Sequence, residues 1–299
     1  MTTTTDAQSF VTDGGLETDL IYHHGFDLPE FAAFPLVETE SGRDALRNYY
    51  AGYAATARSA ATGLLLETPT WRANPDWGKV LGYDADGLDR ANRASVELVR
   101  EFAAEWSDLP RVLVSGQLGP RGDGYQPGAH VDPDEAADYH RPQLASFAAA
   151  GADQATVLTL TDIGEAIGVA RAAADVGLPL GLGFTVETDG RLPRGESLEE
   201  AITKVDADTP PAYFVINCAH PTHVLKGVDE GPWRDRVHGV RVNASTMSHE
   251  ELDNSEELDD GDPVQLAADT ATLRAALPAV RIVGGCCGTD ARHVAAMWA

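Results

Sequence analysis

Three cysteines occur in the 299-residue chain, Cys218 within Asn217-Cys218-Ala219-His220-Pro221 and the pair Cys286-Cys287 within Gly284-Gly285-Cys286-Cys287-Gly288-Thr289. Thiolates are zinc ligands, and three of them leave one corner of a tetrahedral ion open, which separates a catalytic centre from a closed structural one. An odd number of cysteines in a chain of this size does not make a disulfide framework. Three other readings stand beside the open zinc site. The cysteines could be small buried apolar residues, Cys286 and Cys287 could be a redox pair with Cys218 incidental, or His220 or His223 could close a structural zinc.

The elements that must carry these residues are legible as apolar runs. Tyr213-Phe214-Val215-Ile216-Asn217 precedes Cys218, and Val280-Arg281-Ile282-Val283 precedes the cysteine pair. Six similar runs lie at residues 9–12, 63–67, 112–115, 155–159, 180–186 and 238–242. Mostly continuous apolar runs suit strands covered on both faces. Ala- and Glu-rich stretches lie between them, for example residues 90–106, 134–150, 163–176 and 265–277. The alternation predicts an α/β fold, a (β/α)8 TIM barrel forming a single domain over residues 1–299, with an insertion in the first βα unit at residues 20–60. Asp132-Pro133-Asp134-Glu135 and Ser197-Leu198-Glu199-Glu200 read as helix starts, and Gly177 as a stop. On this scheme Cys218 ends the sixth strand and Cys286-Cys287 the eighth, on the face where barrels keep their chemistry.

Composition narrows the partners. With 47 acidic against 22 basic residues the net charge is −25, which argues against nucleic acid and anionic membranes, since phosphate binding needs concentrated Lys and Arg. No apolar stretch approaches a bilayer-spanning length, and the first residues have no signal-peptide pattern, so the expected compartment is the cytoplasm. Acidic residues spread along the whole chain, with only Lys79, Lys204 and Lys226 as lysines, predict a halophilic protein that loses structure in dilute buffer. The acidic run from Glu250 to Asp262 lacks the spacing of an EF-hand and reads as a solvated face.

At the two cysteine motifs the chain resembles the homocysteine S-methyltransferase family. Further similarity lies in Asp13-Gly14-Gly15-Leu16-Glu17-Thr18, in Thr68-Pro69-Thr70-Trp71-Arg72-Ala73-Asn74, in Gly116-Gln117-Leu118-Gly119-Pro120, and in Phe184-Thr185-Val186 with Asp189-Gly190-Arg191-Leu192-Pro193. The resemblance spans residues 13 to 289 and implies a barrel, Zn2+ on Cys218, Cys286 and Cys287, and methyl transfer to a thiol. It implies that Asp13 holds a substrate ammonium, that Gly14 and Gly15 allow close approach of the chain, and that Thr68 and Thr70 offer hydroxyls to a substrate carboxylate. Asp13, Thr68 and Thr70 are thus the expected catalytic residues, and Asn243 joins them and the two glycines in substrate binding. The fourth strand departs from the family, running Val157-Leu158-Thr159-Leu160-Thr161-Asp162 without the family's glutamate; Asp162 is the substitute within reach.

The partners expected on this resemblance are a small-molecule thiol acceptor and a methyl donor. A small onium compound suits as donor, and Trp71, Trp77, Tyr83 and Tyr125 are candidate π-faces for its charge. Two alternatives remain open at this level: a related enzyme acting on another thiol or selenol, and a non-catalytic zinc or thiol-binding barrel.

Overall fold

The structure, a computed structural model, describes residues 8–122, 130–255 and 257–299. Eight parallel strands close into a barrel in chain order: β1 Phe10–Val11, β2 Gly63–Glu67, β3 Val112–Leu118, β4 Gln154–Leu160, β5 Leu180–Phe184, β6 Tyr213–Asn217, β7 Val237–Val242 and β8 Ile282–Gly285. Closure is made by Phe10 and Val11 of β1 in register with Ile282 and Val283 of β8. The expected (β/α)8 architecture is present. The strands lie close to the apolar runs, because a strand sealed between helices and barrel interior has little use for polar residues.

Successive strand residues point to opposite faces. Leu64, Leu66, Val114, Val157, Val240 and Val242 face outward into the large core shared with the helices. Phe10, Leu65, Leu113, Leu158, Tyr213, Val215 and Ile282 form a separate cluster inside the barrel. The same alternation sets Glu67 of β2, Gln117 of β3, Asn217 of β6 and Arg241 of β7 on the inner face beyond this apolar plug, toward the strands' carboxyl ends.

The helix limits follow local chemistry. Asp132 accepts from the N–H groups of Asp134 and Glu135 before the helix Pro133–Ala149, and Ser197 and Glu200 form a reciprocal capping box at Leu198–Asp208. Gly177, two residues after the helix Ile163–Asp175, adopts φ +70°, as a helix stop requires. Between β1 and β2 the chain makes a short helix, a π-helix at Asp19–His23, two 3-10 turns and then the helix Glu40–Ser59. No helix among the described residues is long and apolar enough to cross a membrane.

Candidate active site

Cys218 is the first residue beyond β6 and has a left-handed backbone, φ +58°. A side chain with a Cβ is strained there and stays only where its surroundings hold it. Its carbonyl accepts from His249 Nε2 at 2.7 Å, Asn243 Nδ2 at 3.1 Å and Thr185 Oγ1 at 3.2 Å. Its N–H donates to the Arg241 carbonyl at 3.0 Å. His249 also faces Glu187 through Nδ1 at 3.0 Å. Burial favours the neutral imidazole, but the bonds to Glu187 and the Cys218 carbonyl outweigh it and raise the His249 pKa above the usual value.

The loop after β8 brings the other two thiols to the same place. Cys286 N–H donates to the Val242 carbonyl at 2.8 Å, and the Cys287 carbonyl accepts from Ala244 N–H at 3.2 Å. Cys218 Sγ lies 3.7 Å from Cys287 Sγ and 2.9 Å from Cys286 Sγ. Zinc–sulfur bonds of about 2.3 Å at tetrahedral angles give sulfur pairs about 3.8 Å apart. One edge matches and one is tighter. The three sulfurs lie within 4.8 Å of one another, and no histidine or carboxylate joins the group among the described residues. Contacts with the other two sulfurs hold Cys286 well below the usual thiol range despite burial, and the same contacts, with burial, hold Cys218 well above it. Three thiolates packed this closely repel unless a cation sits between them, so the donor set fits a zinc ion with one free position.

The cysteines line a cavity of about 260 Å³ whose wall also includes Asp13, Gly14, Gly15, Glu17, Trp71, Thr159 and Arg241. Arg241 organises it. Its Nη2 lies 2.7 Å from Asp13 Oδ1 and donates to the Gly14 carbonyl at 3.1 Å, while Nε donates to the Gly285 carbonyl at 3.0 Å. One guanidinium thereby ties the turn after β1 to the end of β8. Burial pushes the Asp13 carboxyl upward, against the pull of Arg241 and a 3.2 Å hydrogen bond from Tyr49 Oη. Glu67, whose Oε1 lies 4.0 Å from Arg241 Nη1, is driven up to about 8 by burial, which the arginine only partly offsets. Glu17 is raised to about 7, again chiefly by burial.

The structure gathers Asp13, Gly14 and Gly15 with the three cysteines around this cavity. A Cβ on Gly15 would lie 2.6 Å from the Cys286 carbonyl oxygen, so the glycine is required by the approach of the two loops. Thr68 and Thr70 are placed behind the wall. Both are fully buried, their hydroxyls 2.6 Å apart, with Thr68 Oγ1 accepting from Gln117 N–H and Thr70 Oγ1 donating to the Gln117 carbonyl. Asn243 meets the cavity only through the Cys218 carbonyl. Asp162 caps the helix Ile163–Asp175 through Glu165 N–H and lies away from the cavity wall, so it does not stand in for the missing glutamate. His220 accepts from Thr222 N–H at the start of the short helix Pro221–Val224 and, like His223, lies outside the thiol cluster. Trp71 lines the cavity, but the Arg72 guanidinium lies 5.2 Å from its ring centroid and 3.8 Å from that of Trp77. Tyr83 packs edge-on against Phe34, and Tyr125 lies outside the described residues. From the acidic run, Asp253 reaches the cavity rim, Asp260 pairs with Arg292 and Asp262 caps the helix Pro263–Ala276.

Sequence reasoning passed over Arg241, Glu67, Asn217 and His249. Arg241 and Glu67 each interrupt or end an apolar strand run, and a charge there was the available signal. Asn217 accepts from Thr159 N–H at 2.9 Å and donates to Thr159 Oγ1 at 2.9 Å. Thr159 has φ +68° at the register shift between β4 and β5, so Asn217 fixes the point where the fourth strand turns into the cavity wall.

The family model described as homocysteine S-methyltransferase matches residues 10–299. Among solved structures, the chain is similar to the homocysteine methyltransferase MmuM from Escherichia coli in its metallated form, with 21% identity, 98% of this chain and 96% of that chain covered, and a TM-score of 0.76. The oxidized form of the same protein gives 22% identity, 98% and 95% coverage and 0.76, and the apo form 21%, 98% and 95%, and 0.69.

Proposed function

The chain belongs to the homocysteine S-methyltransferase family, and from that premise we propose that it moves a methyl group from a small onium donor to the thiol of homocysteine, giving methionine, with Zn2+ held by Cys218, Cys286 and Cys287. The observation that carries the reading is the cluster of three sulfurs in the wall of a cavity, with no fourth protein donor among the described residues. Zinc bound there supplies deprotonation of the acceptor thiol, and the thiolate is the nucleophile.

The chain's own residues supply place and surroundings. Asn243, His249 and Thr185 hold the Cys218 carbonyl and so aim its sulfur. The buried wall excludes water, and methyl transfer is a displacement that depends on alignment of two reactants. Asp13 faces the substrate ammonium together with Glu17 on the same wall, and the Gly14-Gly15 turn lets the substrate lie against backbone. Thr68 and Thr70 act by fixing the backbone of Gln117, a wall residue. The protein works as a single domain in a saline cytoplasm, with residues 20–60 as an insertion in the first βα unit, in keeping with its charge of −25.

A second reading is favoured by the Asp13–Arg241 pair. With Asp13 already matched by a guanidinium and no carboxylate in the fourth-strand position, the acceptor is a thiol or selenol without an amino group at that place. Incubating zinc-loaded protein with homocysteine or amine-free thiols and a panel of onium donors separates the two. A new sulfur in the zinc shell by metal-edge spectroscopy, with methionine formed, supports homocysteine. Turnover confined to amine-free thiols supports the second reading, and a shell unchanged by any thiol refutes both.

A further inference from the structure

The segment after the Gly14-Gly15 turn winds as a π-helix at Asp19–His23. The wider turn is rare and is often found at functional sites. It sets the side chains four and five residues ahead over the same carboxylate. Asp19 Oδ1 lies 2.9 Å from His23 Nδ1, and Asp19 Oδ2 lies 3.5 Å from His24 Nε2. From the opposite side Asp290, which follows the cysteine loop, places Oδ2 3.8 Å from the same His23 nitrogen. One donor atom each from Asp19, His23 and Asp290 falls within 4.8 Å of the others. They line a cleft of about 840 Å³ that shares no lining residue with the three-cysteine cavity.

Asp19 and Asp290 are largely buried while His23 is partly open to the cleft, so the donors are fixed on two sides and reachable from the third. Bonds of about 2.1 Å to nitrogen or oxygen give donor pairs about 3.0 Å apart at right angles and about 3.4 Å apart at tetrahedral angles. The observed pairs bracket these values. The neighbouring charges are Asp44 and Asp260 on the cleft wall and the Arg292 guanidinium, 2.6 Å from Asp290 Oδ2. Asp290 Oδ1 meanwhile faces His293 Nδ1 at 3.0 Å. Arg292 Nη2 and Nε both donate to this His23-facing Oδ2, at 2.6 and 2.9 Å. The arginine is largely exposed, so its guanidinium holds the cation's place on Asp290 and swings outward when a metal binds.

We propose that Asp19, His23 and Asp290 form a second divalent-cation site, distinct from the three-cysteine centre, that takes a borderline transition metal such as Zn2+, Co2+ or Ni2+ in an imidazole and carboxylate set completed by water. Asp19 belongs to the segment that opens with Gly14-Gly15, and Asp290 follows the cysteine loop by three residues, so a cation here clamps the two loops that build the first cavity.

Full-length protein carrying one equivalent of zinc is titrated with Co2+ while absorption and bound metal are followed. The expected result is a second equivalent that gives d–d bands without thiolate charge transfer, and an isotropically shifted exchangeable imidazole proton. In H23Q the second equivalent binds more than ~100-fold more weakly while the first is retained, as loss of a ligand exceeds the 10- to 100-fold cost of losing an outer partner. Binding of one metal only by the wild type, a second equivalent with thiolate bands, or no imidazole shift overturns the proposal. So does full second-site binding in H23Q. If H23Q does not fold, the wild-type stoichiometry, bands and imidazole shift decide the matter by themselves.

Discussion

The Arg241 guanidinium sits 2.7 Å from the Asp13 carboxylate, and both side chains are almost sealed from solvent. Replacing one member strands a charge, and breaking a buried pair in this way costs about 3–5 kcal/mol. D13A and R241A should each lose about that much in denaturant melts. D13N/R241M, which removes both charges, should lose less than the sum of the single variants. Additive losses would show that the pair is not coupled.

Cysteine replacement separates metal from fold. C218S and C287S should bind zinc at the cluster more than ~100-fold more weakly and lose methyl transfer, since each removes a ligand rather than an outer partner. Equilibrium dialysis against a metal buffer measures the first, and a methionine assay the second. Either variant retaining wild-type zinc affinity would remove that sulfur from the ligand set.

Asn243 offers a test of positioning against substrate contact. Its amide holds the Cys218 carbonyl, so N243A should weaken zinc binding by about 10–100-fold and lower kcat at limiting zinc, with KM for the thiol little changed at saturating zinc. A raised KM with unchanged zinc affinity would place Asn243 on the substrate instead.

Glu67 predicts a pH dependence of stability. Its pKa rises from 4.5 in the unfolded chain to about 8 in the fold, so the folded state holds the proton more tightly. That contribution is fully present below pH 4.5 and is lost as pH rises through about 8. E67Q, which keeps a neutral side chain, should therefore gain on the wild type by up to about 1.4 kcal/mol per pH unit across this window. Parallel stability curves for the two proteins would rule out a shifted Glu67.

The charge of −25 predicts salt dependence. Screening of carboxylate repulsion should raise Tm steadily from dilute buffer to molar potassium chloride. Thermal scans at constant pH measure it, and a flat profile would refute the saline reading.

What the sequence disclosed and what it withheld have physical causes. Tyr213–Asn217 and Gly63–Glu67 could be bounded to the residue because burial on both faces leaves an unbroken apolar record. The short β1 and the extended β3 were harder, since polar residues such as Gln117 belong to the strand's inner face, where the site begins. The cysteines were legible because few other roles explain three thiols at strand ends. Thr68 and Thr70 were read for their hydroxyls, but hydrogen bonds to Gln117 turn those hydroxyls into the wall. His249 was beyond reach, because its contact with Cys218 joins residues 31 apart through an irregular loop.

The left-handed turn at Cys218 bears on how a metal arrives. Three protein donors converge on its carbonyl, so hydrogen bonds from separate segments fix where the first thiol points. Loosening one of those bonds should slow metal capture, so stopped-flow traces of N243A should be slower than those of the wild type.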